Sequence, residues 1–349
     1  MNRENNFDLL RILAALLVMM GHMYSLIGIA APTLLFSQLH SLGIIIFFVI
    51  GGYLISCSWE NDRNYFRYLL KRVLRIIPAL VVYVIFAACV VGPLVTDLPV
   101  REYFSNPLFI NYFKNIRLEV QYVLPGVFTG NPMPAVNGSL WSLPVEFLMY
   151  LIIPLLCEIG KKGKGAVHVG LTLGICILAF CRAVFFPEWH YVIYGMDLAQ
   201  VINIVPYYFL GSMIATLKVD KNVWNMNWAI VILVIAQGIQ GFAASYILGY
   251  ILIPYVVFSI AFGMEPLSAK IPIIRKFEIS YGLYLYGFLV QQVVIMYASR
   301  FGISLSMSEY IVISVLFTTV LALLSQYFIE KPMQKVCKKI LGRQKRGGV

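Results

Sequence analysis

The sequence predicts an all-α fold: a polytopic membrane helix bundle of about ten transmembrane helices with both termini cytoplasmic. Three observations carry this. Of the 349 residues, 60% are hydrophobic and only 12% are charged, about half the charged share of a soluble domain. Ten apolar stretches approach or exceed the roughly 17–25 residues that cross hydrocarbon. The basic residues then sort to one side of those stretches.

The stretches are about 9–30, 41–58, 76–95, 143–159, 166–186, 198–217, 227–244, 246–263, 279–299 and 309–329. The first has the short polar start and small residues (Ala30, Ala31) of a secretory signal. Asp8, Arg11 and His22 interrupt its apolar run, however, so it is read as a retained span. His40 falls in the first outer loop, and a basic segment precedes the third span. The longest loop, about 96–142, carries five prolines (99, 107, 125, 132, 134) and Tyr103, Tyr112 and Tyr122. Its apolar and aromatic content predicts that it folds back over the membrane domain. Asn137 or Ser139 is suited to cap the fourth span, with Pro144 in the first turn. The seventh and eighth spans are separated only by Ala243-Ala244-Ser245. No internal repeat is visible. Residues 1–335 read as one transmembrane domain and 336–349 as a basic cytoplasmic tail.

With the N-terminus inside, 21 of the 27 Lys and Arg residues lie in inner segments and four (Arg101, Lys114, Arg117, Arg300) in outer ones. Arg11 and Arg182 lie in or at the edge of spans. The net charge of +11 is therefore mainly topological. It does not indicate nucleic-acid binding, because no basic stretch is interleaved with stacking aromatics. The six cysteines show no metal-ligand or disulfide spacing, and the four histidines are scattered, so no metal site is expected.

Ionisable residues inside spans are costly and mark function by default. Asp8, Arg11 and His22 share one helical face: Arg11 and His22 are eleven residues apart, about 20° past three turns. His22 then lies about 16 Å deeper than Arg11. The structural alternative is an Asp–Arg anchor plus a core histidine. In the basic segment Tyr65–Arg75, Arg72 and Arg75 are one turn apart, as a clamp for a polyphosphate ligand requires. The alternative is an anchor to lipid phosphates. At the fourth span, Asn137-Gly138-Ser139-Leu140-Trp141-Ser142-Leu143-Pro144-Val145-Glu146 sets a carboxylate just inside the apolar run. Trp141 at such an interface is more often a belt residue than a ligand platform. Gln237, Gln240, Gln291 and Gln292 suit interhelical hydrogen bonds, and Arg182 suits snorkelling to the outer interface.

Taken together, these constellations resemble the acyltransferase-3 family of integral membrane acyltransferases. The matching segments are Phe7 to Arg11 with Gly21-His22, Gly43 to Ile55, Arg72-Val73-Leu74-Arg75-Ile76-Ile77-Pro78, Ser139 to Phe147, and Tyr327 to Pro332. Two positions depart from the family pattern. Gly51 stands where Ser is usual, and Gly287 where a second His is usual. Tyr284, Tyr286 and Gln291 are candidates for the role that His would have had.

The resemblance implies transfer of an acyl group, most often acetyl, from cytoplasmic acyl-CoA to a glycan hydroxyl, in a bacterial inner membrane. Acetyl-CoA is then the donor substrate, and no cofactor is bound permanently. The partners implied are acyl-CoA, a surface glycan or lipid-linked oligosaccharide, and membrane lipids. His22 and Glu146 are the catalytic candidates, His22 as general base or transient acyl carrier. Arg11, Arg72 and Arg75 are the acyl-CoA candidates. Asn137, Trp141, Ser142 and Tyr284 are the acceptor candidates. The rivals are a transporter or flippase of an amphipathic glycolipid, against which the missing repeat argues, and a scaffold whose charges are structural.

Overall fold

A computed structural model describes residues 5–162, 165–239, 241–267 and 278–346. Arg3, Lys164, Gln240, Lys270, Arg275 and Lys276 lie outside the described residues. The helices are α1 (Phe7–Leu26), α2 (Leu39–Asn61), α3 (Tyr65–Phe86), α4 (Gly92–Val95), α5 (Val100–Ser105), α6 (Pro107–Tyr112), α7 (Ser142–Lys162) and α8 (Ala166–Phe185). They continue as α9 (Leu198–Thr216), α10 (Met226–Gly238), α11 (Phe242–Phe262), α12 (Ser280–Arg300), α13 (Met307–Ser325) and α14 (Lys331–Arg346). Sheet is confined to two hairpins, β1–β2 (Thr33–Leu34, Ser37–Gln38) and β3–β4 (Val192–Ile193, Met196–Asp197). The chain is thus an all-α polytopic membrane bundle.

Among the described residues, nine helical segments are long and apolar enough to cross a membrane, against the ten expected. The seventh expected span, 227–244, is the 13-residue helix α10. It stops at Gly238 and is followed by Gly241 at φ 114°, so glycine ends the helix before it reaches span length. His40, expected in a loop, lies in the first turn of α2.

The chain divides into two compact units. The first holds Met1–Val18, Pro32–Tyr65 and Val145–Glu278. Here α2 and α9 pack at glycines. A Cβ on Gly52 would strike the Tyr208 carbonyl oxygen and lie 2.9 Å from the Ser212 nitrogen. A Cβ on Gly211 would strike the Val49 carbonyl oxygen and lie 3.1 Å from the Tyr53 nitrogen. The Ser56 and Ser212 hydroxyls meet at 2.7 Å across the same seam. At the start of α1, the Asn6 side chain donates to the Ile260 carbonyl (3.1 Å) and accepts from the Leu267 amide (2.7 Å), tying it to the end of α11.

An internal repeat, not apparent in the sequence, appears in the register of these elements. Each boundary recurs 159 residues on: α1 at 7–26 and α8 at 166–185, the hairpins at 33–38 and 192–197, and the next helix at Leu39 and Leu198. Each hairpin turns on two positive-φ residues, Leu35 and Phe36 (48°, 66°) and Tyr194 and Gly195 (53°, 73°), the backbone of a tight two-residue turn. Each following helix begins with the same bond, Leu39 N to Pro32 O and Leu198 N to Tyr191 O. Gly52 and Gly211, with their contacts, stand in the same register. The repeat whose absence spoke against a transporter is therefore present in the structure.

The second unit holds Met19–Ala31, Phe66–Pro144 and Ile279–Val349. Beyond Phe86, α3 continues through a π-helical turn, Ala87–Val91, into α4. The Tyr103 hydroxyl donates to the Ala88 carbonyl (2.6 Å) in that turn. Gly92 leaves the room for the Tyr103 ring, so a carbonyl in the widened turn keeps a partner. The long loop folds back as expected. Asn131 and Asn137 bond to α12, and Thr96 pairs with Val127. The expected tail is helical, as part of α14, through Arg346.

Candidate functional site

The second unit gathers most of the expected residues. His22 is half-buried on the last turns of α1. Its ring meets Phe288 of α12 edge-on, with centroids 5.2 Å apart and planes at 74°. Phe288 can lie there because residue 138 is glycine. A Cβ on Gly138 would come 2.7 Å from the Phe288 ring. One turn before His22, the Met19 carbonyl accepts from Gln291 Nε2 at 2.6 Å. A loop glycine, an aromatic ring and a buried amide thus set the position of the imidazole.

Gly287 explains one family departure. A Cβ at this position would lie 2.8 Å from Met19 Cγ, so α12 lacks space for a histidine beside α1 as it is packed. The other departure has the same cause, within the first unit. A Cβ on Gly51 would come 2.9 Å from the Tyr208 ring. Each position gives up a side chain to close helix packing.

Asn137, Ser142 and Tyr284 form one buried network. The Tyr284 hydroxyl donates to the Ser139 carbonyl (2.6 Å) and meets the Ser142 hydroxyl (2.6 Å). Asn137 Nδ2 donates to the Tyr83 hydroxyl and to the Leu285 carbonyl, both at 2.9 Å. Its Oδ1 accepts from the Ser139 amide (2.9 Å), so Asn137 holds a turn rather than capping α7. Trp141 is half-buried beside this network in the chain.

Gln291 makes the interhelical bond expected of it. Gln292 bonds instead to the long loop, through Nε2 to the Met133 and Ala135 carbonyls and through Oε1 to Asn131. Sequence reasoning missed Phe288, Gly138, Asn131 and Tyr83. Only their place beside the matched motifs could have marked them.

On α3, the Arg72 guanidinium lies over the Tyr68 ring, 5.5 Å from its centroid, a cation–π placement. Arg75 is half-buried one turn on. Tyr281 of α12 donates to the Ile76 carbonyl at 3.0 Å, bracing the helix beside these arginines.

Arg11 and Glu146 belong to the first unit. Arg11 Nη1 pairs with Glu278 (2.7 Å) and with Asp8 one turn away (3.3 Å). Glu146 accepts a hydrogen bond from Tyr150 one turn along α7. Arg182, in the last turn of α8, turns its Nη2 to the Ala199 carbonyl in the first turn of α9 at 3.4 Å.

Comparison with known proteins fits this arrangement. The acyltransferase-3 family model, described as an acyltransferase domain, matches residues 4–326. An O-acetyl transferase of Shigella phage Sf6 is 32% identical over 304 residues, covering 84% of this chain and 87% of the relative. Nodulation protein 10 of Rhizobium leguminosarum bv. viciae is 28% identical over 376 residues, covering 98% and 96%. No solved structure gives a significant match. With the family model spanning most of the described helices, the chain belongs to the acyltransferase-3 family of membrane acyltransferases.

Proposed function

We propose that the protein moves an acetyl group from cytoplasmic acyl-CoA to a hydroxyl of a surface glycan or its lipid-linked precursor, in a bacterial inner membrane. The observation that carries this reading is an imidazole within a membrane span, fixed by Phe288, in the same unit as the Tyr284–Ser142–Ser139 network. The phage relative named O-acetyl transferase supports the acetyl group and the oxygen acceptor.

In this reading the acceptor oxygen attacks the thioester carbonyl carbon. A C–O bond forms and the C–S bond breaks. His22 takes the hydroxyl proton and returns it to the departing CoA sulfur, ending neutral. An unperturbed imidazole titrates near enough to neutrality to do both. Arg72 and Arg75 hold the donor phosphates, since guanidinium forks match phosphate oxygens. Ser142, Tyr284, Asn137 and Trp141 receive the acceptor. Arg11, matched by Asp8 and Glu278, holds α1 in place rather than the donor.

The test uses full-length protein in nanodiscs, labelled acetyl-CoA and the glycan of the producing cells, with product followed by mass spectrometry. His22→Ala is expected to lower transfer by about a thousandfold while melting as the wild type does. Full activity in a folded His22→Ala protein would rule out this role for the histidine.

A further inference from the structure

The repeat directs attention to the duplicate. There Cys181 stands in the register of His22, and Arg182 in that of Met23. The second half of the repeat thus has a guanidinium where the first has Met23, and no imidazole at the place of His22. From Arg182 a polar strip runs across three helices of the first unit. Arg182 reaches the Ala199 carbonyl on α9. Asn203 lies one turn beyond Ala199, and Tyr207 one turn beyond Asn203. The Tyr207 ring packs on Tyr250 of α11 at 5.3 Å, and Tyr250 on Tyr246 at 6.3 Å. Gly249 admits the Tyr207 hydroxyl, which a Cβ there would meet at 3.0 Å.

Three polar atoms of this strip are buried and, among the described residues, have no hydrogen-bond partner: Arg182 Nε, Asn203 Oδ1 and the Tyr250 hydroxyl. Tyr250 is 9% exposed. Their chemistry differs. Arg Nε only donates, an amide oxygen only accepts, and a phenol does both. A bare phosphate offers acceptors alone and would leave the Asn203 oxygen opposed by like charge. A sugar offers both hydroxyl donors and oxygen acceptors.

We propose that Arg182, Asn203 and Tyr250, with Tyr207 and Tyr246, form a second site that binds carbohydrate, separate in the chain from the residues assigned to acyl transfer. The ligand class rests on the glycan reading above.

The probe is the oligosaccharide released by mild acid from the surface glycan of the producing cells, with inorganic phosphate as competitor. The variants are Tyr250→Phe and Asn203→Leu in the full chain. Because the Tyr250 oxygen has no partner among the described residues, its removal should leave the melting temperature unchanged or raised. The oligosaccharide Kd should rise about fivefold in each variant, with the acyl-CoA KM unchanged.

Unchanged Kd in both variants would overturn the site. So would a lowered melting temperature for Tyr250→Phe, which would assign its hydroxyl to the fold. Displacement of the oligosaccharide by phosphate from wild type but not from Arg182→Gln would overturn the carbohydrate assignment. The two readings fail separately. A wild type that acetylates glycan, with variants that bind it normally, sinks the site alone. A wild type that transfers no acyl group, yet binds oligosaccharide in a Tyr250-dependent way, sinks the acyl-transfer reading alone.

Discussion

Arg11 meets two carboxylates in the protein, Asp8 at 3.3 Å and Glu278 at 2.7 Å. Its side chain is 12% exposed and that of Asp8 10%, so water screens the pair poorly. A guanidinium already matched by two anions has little charge left for donor phosphates. Its stronger effect is to hold α1 to the segment that carries Glu278. Removing it leaves a half-desolvated carboxylate at Asp8 with no ion pair from residue 11. Arg11→Ala should therefore destabilise the protein by about 2 kcal/mol, less than a fully buried pair would cost. Adding Asp8→Asn should recover part of the loss, since the stranded charge goes with it. Thermal melting in detergent reads both variants. An Arg11→Ala protein that melts as wild type but has a raised acyl-CoA KM would make Arg11 a donor ligand instead. The Asp8–Arg11 pair was legible from its one-turn spacing. Glu278 was not, because a partner 267 residues away leaves no local pattern.

At the scale of elements, the seam between α2 and α9 rests on two glycines in equivalent register. Each meets the other helix at a backbone carbonyl, which cannot rotate away as a flexible side chain does. Gly52→Ala or Gly211→Ala should each cost about 2–3 kcal/mol through overpacking. The double variant should cost less than their sum, because one displaced crossing makes room for both methyls. Thermal melting of the three variants tests this. Single variants that melt within error of the wild type would mean the helices do not pack closely there. The same seam shows why the repeat was hidden in the sequence. What recurs is length, turn position and one glycine, while side chains have diverged: His22 against Cys181, Gly43 against Ile202. The first hairpin turns on Leu35 and Phe36, bulky residues at positive φ, where a sequence reader expects Gly or Asn. The apolar lengths, the basic clusters and the loop-to-span motif were all legible. Gly51 and Gly287 read as departures only until their neighbours, Tyr208 and Met19, were in place.

For the whole molecule, the open question of topology turns on α10. Lys218 and Lys221 precede it, and Lys270, Arg275 and Lys276 follow α11. The positive-inside rule puts both groups in the cytoplasm, so the chain between them must cross twice. The helix α11, with 21 residues, crosses once. The 13 residues of α10 rise only about 20 Å, short of the roughly 30 Å hydrocarbon core. A short span of this kind is tolerated when the bilayer thins around it, at a fraction of a kcal/mol per Å. Its ends suit that strain. Asn225 caps the first turn by accepting from the Asn227 and Trp228 amides, and Trp228 is exposed on that turn, as an interfacial tryptophan would be. We therefore expect α10 to complete a tenth crossing and both termini to face the cytoplasm. The measurement is cysteine labelling in a background with the six native cysteines replaced. Ile239→Cys should react with a membrane-impermeant maleimide added outside intact spheroplasts, and Val223→Cys only after lysis. If Ile239→Cys is instead protected from outside and labelled from the cytoplasm, α10 enters and leaves by the same face. The termini would then lie on opposite sides of the membrane.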